Sequence, residues 1–208
     1  MSMNKSSIVI VALFALVGGI SISWVVSQNR SVELEAGLWF GEQARPLPEF
    51  ELVDHNNKPL NRDRMKGNWS LMFFGYTHCP DVCPTSLQMM SDMMSEIDDP
   101  DVSKAIDIYF VSVDPERDSS ELLASYVTYF NPEFIGATAA MEKLRPLTAT
   151  LGISHFIGEQ IEGSPTYDVE HSSAIVLVNP EAQYAGIFSA PHNAPAIARD
   201  MTRIVEYN

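Results

Sequence analysis

Cys79 and Cys83 are the only cysteines in the chain, and they stand four positions apart. The residues before them, 70–77, form an apolar run that is typical of a buried strand. From Pro84 to about Ile97, apolar residues recur at helical spacing, which predicts a helix. The cysteine pair therefore lies where a strand gives way to a helix N-terminus, and such a position favours the thiolate over the thiol. Two neighbouring thiolates can also chelate a soft metal ion.

Three residues separate the two cysteines, and this spacing leaves three interpretations open. A structural disulfide would close a very short loop and would stabilise the fold little, and a chain of 208 residues can bury a core without one. A catalytic dithiol more often has two residues between its cysteines. A metal site fits the spacing if the chain supplies a third ligand.

The charge balance is strongly acidic. Thirteen basic and 27 acidic side chains give a formal net charge of −14. Proteins that bind nucleic acid neutralise phosphates with a basic surface, so this composition argues against a nucleic-acid partner. An acidic surface alone identifies no other partner, because soluble proteins often have one.

An uncharged apolar stretch, residues 8–26, follows a short N-terminal tail, residues 1–7. As a helix it would span about 28 Å, close to the roughly 30 Å hydrocarbon core of a bilayer. A cleaved signal peptide is the alternative, but its apolar region is usually shorter and is followed by a cleavage site of small residues. We therefore expect an uncleaved single-pass anchor in a bacterial inner membrane, a tether over residues 27–45 and a periplasmic domain over residues 46–208.

The rest of the chain alternates strand and helix patterns and ends in a hairpin and a helix. This order is typical of a single thioredoxin-like, peroxiredoxin-related α/β domain. Asp118 precedes one of the helices, and Glu121 would complete a capping box at the N-terminus of that helix. The predicted strands are 50–54, 70–77, 106–113, 173–178 and 184–188, and the predicted helices are 84–97, 119–130, 140–151 and 194–206.

A third metal ligand would have to come from one of the five histidines. His171 stands just before the predicted strand 173–178. In thioredoxin-like folds the loop before that strand packs against the cysteine loop, so an imidazole there would face the thiolates. His78 adjoins Cys79, but its side chain must point away if that of the cysteine points inward. The histidines without such a placement are His55, His155 and His192.

Three segments resemble the Sco/SenC family of copper chaperones for cytochrome c oxidase, and the resemblance covers about residues 35–206. They are GYTHCPDVCP at 75–84, VDPERD at 113–118 and YDVEHS at 167–172. The resemblance implies a membrane-anchored domain that binds copper through Cys79, Cys83 and His171. It also implies delivery of that copper to the binuclear copper site of oxidase subunit II. In an alternative state, the two cysteines would form a redox-active disulfide.

The same resemblance bears on partners and on supporting residues. Because copper binding requires deprotonated cysteines, a thiol-reducing, thioredoxin-like protein would have to reduce the pair in a compartment that favours disulfides. Another copper chaperone is a candidate donor of the metal. Position 170 holds a glutamate where the family commonly has an aspartate. The candidates for supporting contacts around the ligands are Asp81, Asp114 and Glu170.

Two thiolates and one imidazole suit Cu(I) and can also accommodate Cu(II). The main prediction is therefore a copper metallochaperone rather than an enzyme. A thiol-disulfide oxidoreductase that keeps oxidase cysteines reduced, and a redox or copper sensor, remain alternatives. His171 favours metal binding, because dithiol exchange does not need an imidazole at that position.

Overall fold

A computed structural model describes residues 33–158 and 169–207. The predicted N-terminal tail and membrane anchor, residues 1–7 and 8–26, lie outside these ranges. Within them, no helix combines the length and the apolar character that a membrane span needs. The described residues belong to one structural unit, which begins at Glu33.

The elements are numbered in chain order. The strands are β1 (Gly37–Trp39), β2 (Arg45–Pro46), β3 (Leu52–Asp54), β4 (Pro59–Leu60), β5 (Trp69–Gly75), β6 (Ile106–Ser112), β7 (Ile135–Thr138), β8 (His155–Ile157), β9 (Val169–His171), β10 (Ile175–Val178) and β11 (Gln183–Phe188). The α-helices are α1 (Val82–Ser95), α2 (Pro100–Lys104), α3 (Ser120–Phe130), α4 (Met141–Leu151) and α5 (Ala194–Tyr207), and a short 3-10 helix spans Gly41–Gln43.

Strands β5 and β6 form the centre of the main sheet. They are parallel, and their register pairs Gly75 with Ser112 at the carboxyl ends of the two strands. Every residue of β5 is buried, as its continuous apolar sequence predicts for a parallel strand covered on both faces. The strand order is β1-β11-β10-β5-β6-β7-β3-β4, with β2 beside β11, while β8 and β9 form a separate antiparallel pair. This architecture confirms the predicted thioredoxin-like α/β domain.

The segment before residue 46 belongs to this domain. Strand β1 pairs with β11, and the Trp39 ring lies edge-on to that of Tyr207 at 5.2 Å. The buried carboxylate of Asp200 accepts hydrogen bonds from the backbone N–H groups of Glu35 and Ala36 at 2.8 and 2.7 Å. The folded domain therefore begins earlier than the predicted boundary at residue 46, and the described part of the predicted tether, residues 33–45, packs against it. The sequence gives little sign of this, because strands of two or three residues show no hydrophobic period.

Two predicted helix starts change in the structure. Helix α1 begins at Val82 rather than Pro84, so Cys83 lies in its first turn. Helix α3 is capped by Ser119, whose hydroxyl accepts from the backbone N–H of Leu122 at 3.3 Å. The predicted cap at Asp118 is therefore wrong, because that carboxylate is buried and binds other donors. By contrast, helix α4 ends at Gly152 as predicted, with the left-handed conformation (φ 68°) that glycine adopts easily.

Candidate metal centre

The turn from β5 into α1 places the two cysteines. Cys83 is fully buried, and its sulfur lies so close to Gly75 that a side chain on Gly75 would overlap it. Cys79 lies four residues earlier, in the loop before α1, and is partly exposed. The Sγ of Cys79 accepts from the backbone N–H of Cys83 at 3.5 Å. One thiol is thus fixed inside the domain, and the other is open to solvent.

His171 reaches the cysteines from strand β9, far away in sequence. Its Nδ1 lies 3.0 Å from the carbonyl oxygen of Ser172, and since a carbonyl can only accept, Nδ1 carries the proton. The lone pair is then on Nε2, which lies 3.3 Å from the Sγ of Cys83. The rings of Phe73 and Tyr76 meet the imidazole edge-on at 6.0 and 5.8 Å. The tautomer and the orientation of His171 therefore direct its Nε2 lone pair toward the cysteines, where it is available to bind a metal ion.

Burial favours the neutral forms of Cys83 and His171. It raises the pKa of the Cys83 thiol; a backbone hydrogen bond from Tyr76 lowers that pKa, and the nearby Cys79 raises it further. Burial also lowers the pKa of His171, and hydrogen bonds to the backbone carbonyls of Ser172 and Phe74 offset part of that shift. A neutral thiol and a neutral imidazole can lie together without repulsion. A metal cation that replaced the thiol protons would supply the charge that two thiolates need in this buried place.

These three side chains form a candidate metal site. Their ligand atoms all lie within 4.8 Å of one another, and this is the only such cluster of histidine, cysteine or acidic residues in the described ranges. Two sulfurs and one imidazole nitrogen make a soft donor set, which selects soft metal ions over Mg²⁺ or Ca²⁺. The structure thus brings together the three side chains that the sequence singled out as candidate ligands.

The other histidines whose side chains are described have different roles. The Nδ1 of His55 accepts from the backbone N–H of Gly136 on β7 at 3.0 Å. The Nε2 of His192 donates to the carbonyl of Ser173 at 2.8 Å. His78 is half exposed, and its Nδ1 lies 3.1 Å from the hydroxyl of Thr77. None of them joins the described cluster.

The predicted supporting residues divide into three cases. Asp81 is exposed and makes no side-chain capping bond to helix α1. Asp114 is buried and forms an ion pair with Arg117, whose guanidinium lies 5.5 Å from the ring centre of Tyr76. Because Tyr76 contacts His171, Arg117 and Tyr76 link Asp114 to the site. The side chain of Glu170 lies outside the described part of the structure.

Sequence reasoning missed a buried carboxylate beside the cysteine loop. The sequence predicts Asp118 as a helix cap. In the structure its carboxylate accepts hydrogen bonds from the backbone N–H and the hydroxyl of Thr77 at 3.0 and 2.6 Å. Thr77 stands two positions before Cys79 in the chain. The one signal available was the position of Asp118 after the second central strand, since the carboxyl ends of parallel neighbours meet at one edge of the sheet.

Comparison with known proteins identifies similar chains. A model of the SCO1/SenC family matches residues 41–206. A curated protein of Stutzerimonas stutzeri, whose name refers to copper binding, is 33% identical over 162 residues, which are 78% of each chain. The mitochondrial protein SCO2 of Saccharomyces cerevisiae is 33% identical over 84% of this chain, which spans only 58% of the length of that relative.

Solved structures show the same likeness. The structure of ScoI from Bradyrhizobium japonicum, which has copper bound, is 28% identical in sequence. It aligns with 76% of this chain and 98% of its own, with a TM-score of 0.68. The alignment therefore covers nearly the whole of that protein and the greater part of this one.

Proposed function

The chain belongs to the SCO1/SenC family, and we propose that it is a copper metallochaperone whose ligands are Cys79, Cys83 and His171. The observation that carries this proposal is the convergence of the three ligand atoms within 4.8 Å. The copper bound in the Bradyrhizobium japonicum structure supports the choice of metal. Copper is the cargo of this protein, so the site has to bind it and also release it.

The donor set accounts for the choice of metal and of its oxidation states. Thiolates are soft ligands and stabilise Cu(I), while the imidazole nitrogen adds a donor that also suits Cu(II). The Nε2 lone pair of His171 is already directed toward Cys83. Little rearrangement is then needed when copper enters, which lowers the cost of binding.

The different exposure of the two thiols suits a transfer protein. Cys83 and His171 are held from inside the domain, whereas Cys79 is partly exposed and lies in the loop before α1. An incoming ligand from a partner can therefore reach the metal on the Cys79 side. We propose that exchange of copper with a partner takes place at this edge of the site.

The wider role is assembly of cytochrome c oxidase. We propose that copper passes from this domain to the binuclear copper site of oxidase subunit II. A thioredoxin-like reductant would keep the cysteine pair reduced, and another copper chaperone would donate the metal. These steps would take place in the periplasm, with the domain held at the inner membrane by residues 8–26.

The anchor can be tested separately from copper binding. We expect the full-length protein to stay with membranes after carbonate or high-salt washing, and a chain starting near Ser31 to be soluble. Recovery of the intact chain in the soluble periplasmic fraction, or a mature N-terminus near Trp24, would disprove the anchor. Neither result would bear on the metal site.

A second function draws on the same cysteines. A reduced pair in which the Cys83 N–H binds the Cys79 sulfur at 3.5 Å is also suited to thiol-disulfide exchange, because a partly exposed thiol can attack a disulfide and a second one can resolve the product. A redox or copper sensor would use the same chemistry. His171 separates these functions from the main proposal, since exchange does not require it.

The test of the main proposal is an anaerobic titration of the reduced domain, residues 31–208, with Cu(I) in competition with a chelator of known affinity. We expect one tightly bound copper per chain. A separate sample of the reduced, metal-free domain should take up one Cu(II), with a visible sulfur-to-copper charge-transfer band. A domain that exchanges disulfides but binds no copper in competition would favour the oxidoreductase instead.

A further inference from the structure

Asp118 is a buried carboxylate that accepts three hydrogen bonds. It is 1% exposed. Its Oδ2 accepts from the backbone N–H of Thr77 at 3.0 Å and from the hydroxyl of Ser112 at 2.5 Å. Its Oδ1 accepts from the hydroxyl of Thr77 at 2.6 Å. A buried charge is tolerated only when it is hydrogen-bonded in this way, and bonds to a charged acceptor are the stronger kind.

These bonds join the ends of the two central strands. Ser112 is the last residue of β6, and its partner across the ladder is Gly75, the last residue of β5. Thr77 follows Gly75 by two positions and precedes Cys79 by two. Asp118 therefore bridges the end of β6 to the loop that leads from β5 to the first metal ligand.

The local structure of helix α3 leaves Asp118 free for this role. Ser119 already caps the helix by accepting from the backbone N–H of Leu122. Both carboxylate oxygens of Asp118 instead face residues outside the helix. Two of the three hydrogen bonds that it accepts come from Thr77, 41 residues away in sequence. A capping side chain would instead accept from the backbone N–H groups of its own helix.

We propose that Asp118 is a positioning residue of the metal centre, which acts through Thr77 to hold Cys79 in place for copper without contacting the metal. This inference rests on the copper-binding function proposed above. Cys83 is held by the core and His171 by strand β9, but Cys79 lies in a loop and is partly exposed. Among the three ligands it is the one whose position depends most on such a bond.

A purely electrostatic role for Asp118 makes a different prediction. A negative charge near the thiols disfavours the thiolates, so removing it would help copper to bind. Replacement by asparagine distinguishes the two roles. An asparagine keeps an oxygen acceptor for the Thr77 N–H and offers an amide N–H to the Thr77 hydroxyl, but it carries no charge.

The experiment compares Asp118→Ala, Asp118→Asn and Thr77→Val with Ser119→Ala, in the full-length reduced protein. Ser119→Ala is the matched control, because it removes a hydrogen bond at the same helix start without touching the cysteine loop. The readouts are Cu(I) affinity from chelator competition, the Cu(II) charge-transfer band, and hydrogen exchange of the Thr77 amide in the metal-free protein. The last readout follows the proposed bond itself and needs no copper.

We expect Asp118→Ala to weaken Cu(I) binding by about 10- to 100-fold, the range seen when residues that orient metal ligands are removed. The charge-transfer band should shift, and the Thr77 amide should exchange faster. Asp118→Asn should stay close to the wild type, and Thr77→Val, which loses the hydroxyl but keeps the N–H, should lie between Asn and Ala. Ser119→Ala should change none of the three readouts.

Several results would overturn the inference. Unchanged copper binding and Thr77 exchange in Asp118→Ala would do so, as would a loss in Asp118→Asn equal to that in Asp118→Ala. An equal loss of affinity in Ser119→Ala would point to general destabilisation instead. If Asp118→Ala does not fold, Asp118→Asn and Thr77→Val decide the matter. If the wild type itself binds no copper, both the proposed function and this inference fail, whereas normal wild-type binding with silent variants rejects the inference alone.

Discussion

The Nε2 of His171 lies 3.3 Å from the Sγ of Cys83, although 88 residues separate them in sequence. The contact brings strand β9 against the first turn of α1 beside the end of β5. Since burial favours the neutral form of both groups, they can meet without a metal between them. The three side chains proposed as copper ligands therefore already lie together in the folded domain.

Gly75 tests how closely Cys83 is packed. In Gly75→Ala the new methyl group would overlap the Cys83 sulfur and lie 2.9 Å from the ring of Phe110. Overpacking of this kind typically costs about 1–3 kcal/mol, and relief of the overlap would displace the sulfur. We expect both a lower free energy of unfolding in urea and weaker Cu(I) binding.

Gly136→Ala is the matched control for this prediction. Its methyl group would crowd Leu123 and Val127 at 3.2 Å, on the neighbouring face of helix α3 and away from the cysteines. It should destabilise the domain and leave copper affinity unchanged. Equal copper affinity in the two variants would show that the Cys83 sulfur is not constrained by Gly75.

His171 should titrate below the ordinary pKa of 6.5, because burial disfavours its charged form. On acidification the unfolded chain then takes up the proton before the folded domain does, so the contribution to stability is complete above about 6.5 and is lost as the pH falls through the folded pKa. An NMR titration of the reduced, metal-free domain measures this midpoint directly. The free energy of unfolding should also fall more between pH 7.5 and 5.5 in the wild type than in His171→Ala. A midpoint at or above 6.5 would contradict the account.

Asp200 should be important for holding the first described residues on the domain. Its fully buried carboxylate accepts from the backbone N–H groups of Glu35 and Ala36, and hydrogen bonds to a charged group contribute about 1.5–3 kcal/mol each. Asp200→Ala should therefore lower the free energy of unfolding, measured with urea. Glu35→Gln, which breaks only an exposed ion pair with Arg199, should have little effect. Equal stability of the two variants would show that residues 33–36 do not contribute to the fold.

The central strands and the cysteine loop could be predicted from sequence because their signals are local. The apolar runs at 70–77 and 106–113 correspond to β5 (Trp69–Gly75) and β6 (Ile106–Ser112), and the predicted hairpin corresponds to β10 and β11. Short elements were missed: β7 (Ile135–Thr138) depends on its pairing with β6 and β3 rather than on any period of its own.

The sequence predicts the three candidate ligands, but not the residues that surround them. Cys79 and Cys83 are identified by spacing, and His171 by its place before a predicted strand, so topology alone brings the three together. Asp118 and Ser119 are both good capping residues, and local sequence cannot decide between them. The partner that decides is Thr77, which becomes visible only when the ends of β5 and β6 are placed side by side.

The most direct test of the account is copper stoichiometry together with the sulfur-to-Cu(II) charge-transfer band, measured across single variants of the reduced domain. Cys79→Ser and Cys83→Ser should abolish tight binding, because a hydroxyl is a hard, weakly acidic substitute for a thiolate. His171→Ala should still hold Cu(I) on two sulfurs but should lose Cu(II) and its band. The control variants, His55→Ala, His78→Ala and His192→Ala, should each keep one copper per chain. A His171→Ala variant that keeps the band and full activity in oxidase assembly, with cysteine variants defective only in disulfide exchange, would contradict the copper-chaperone account.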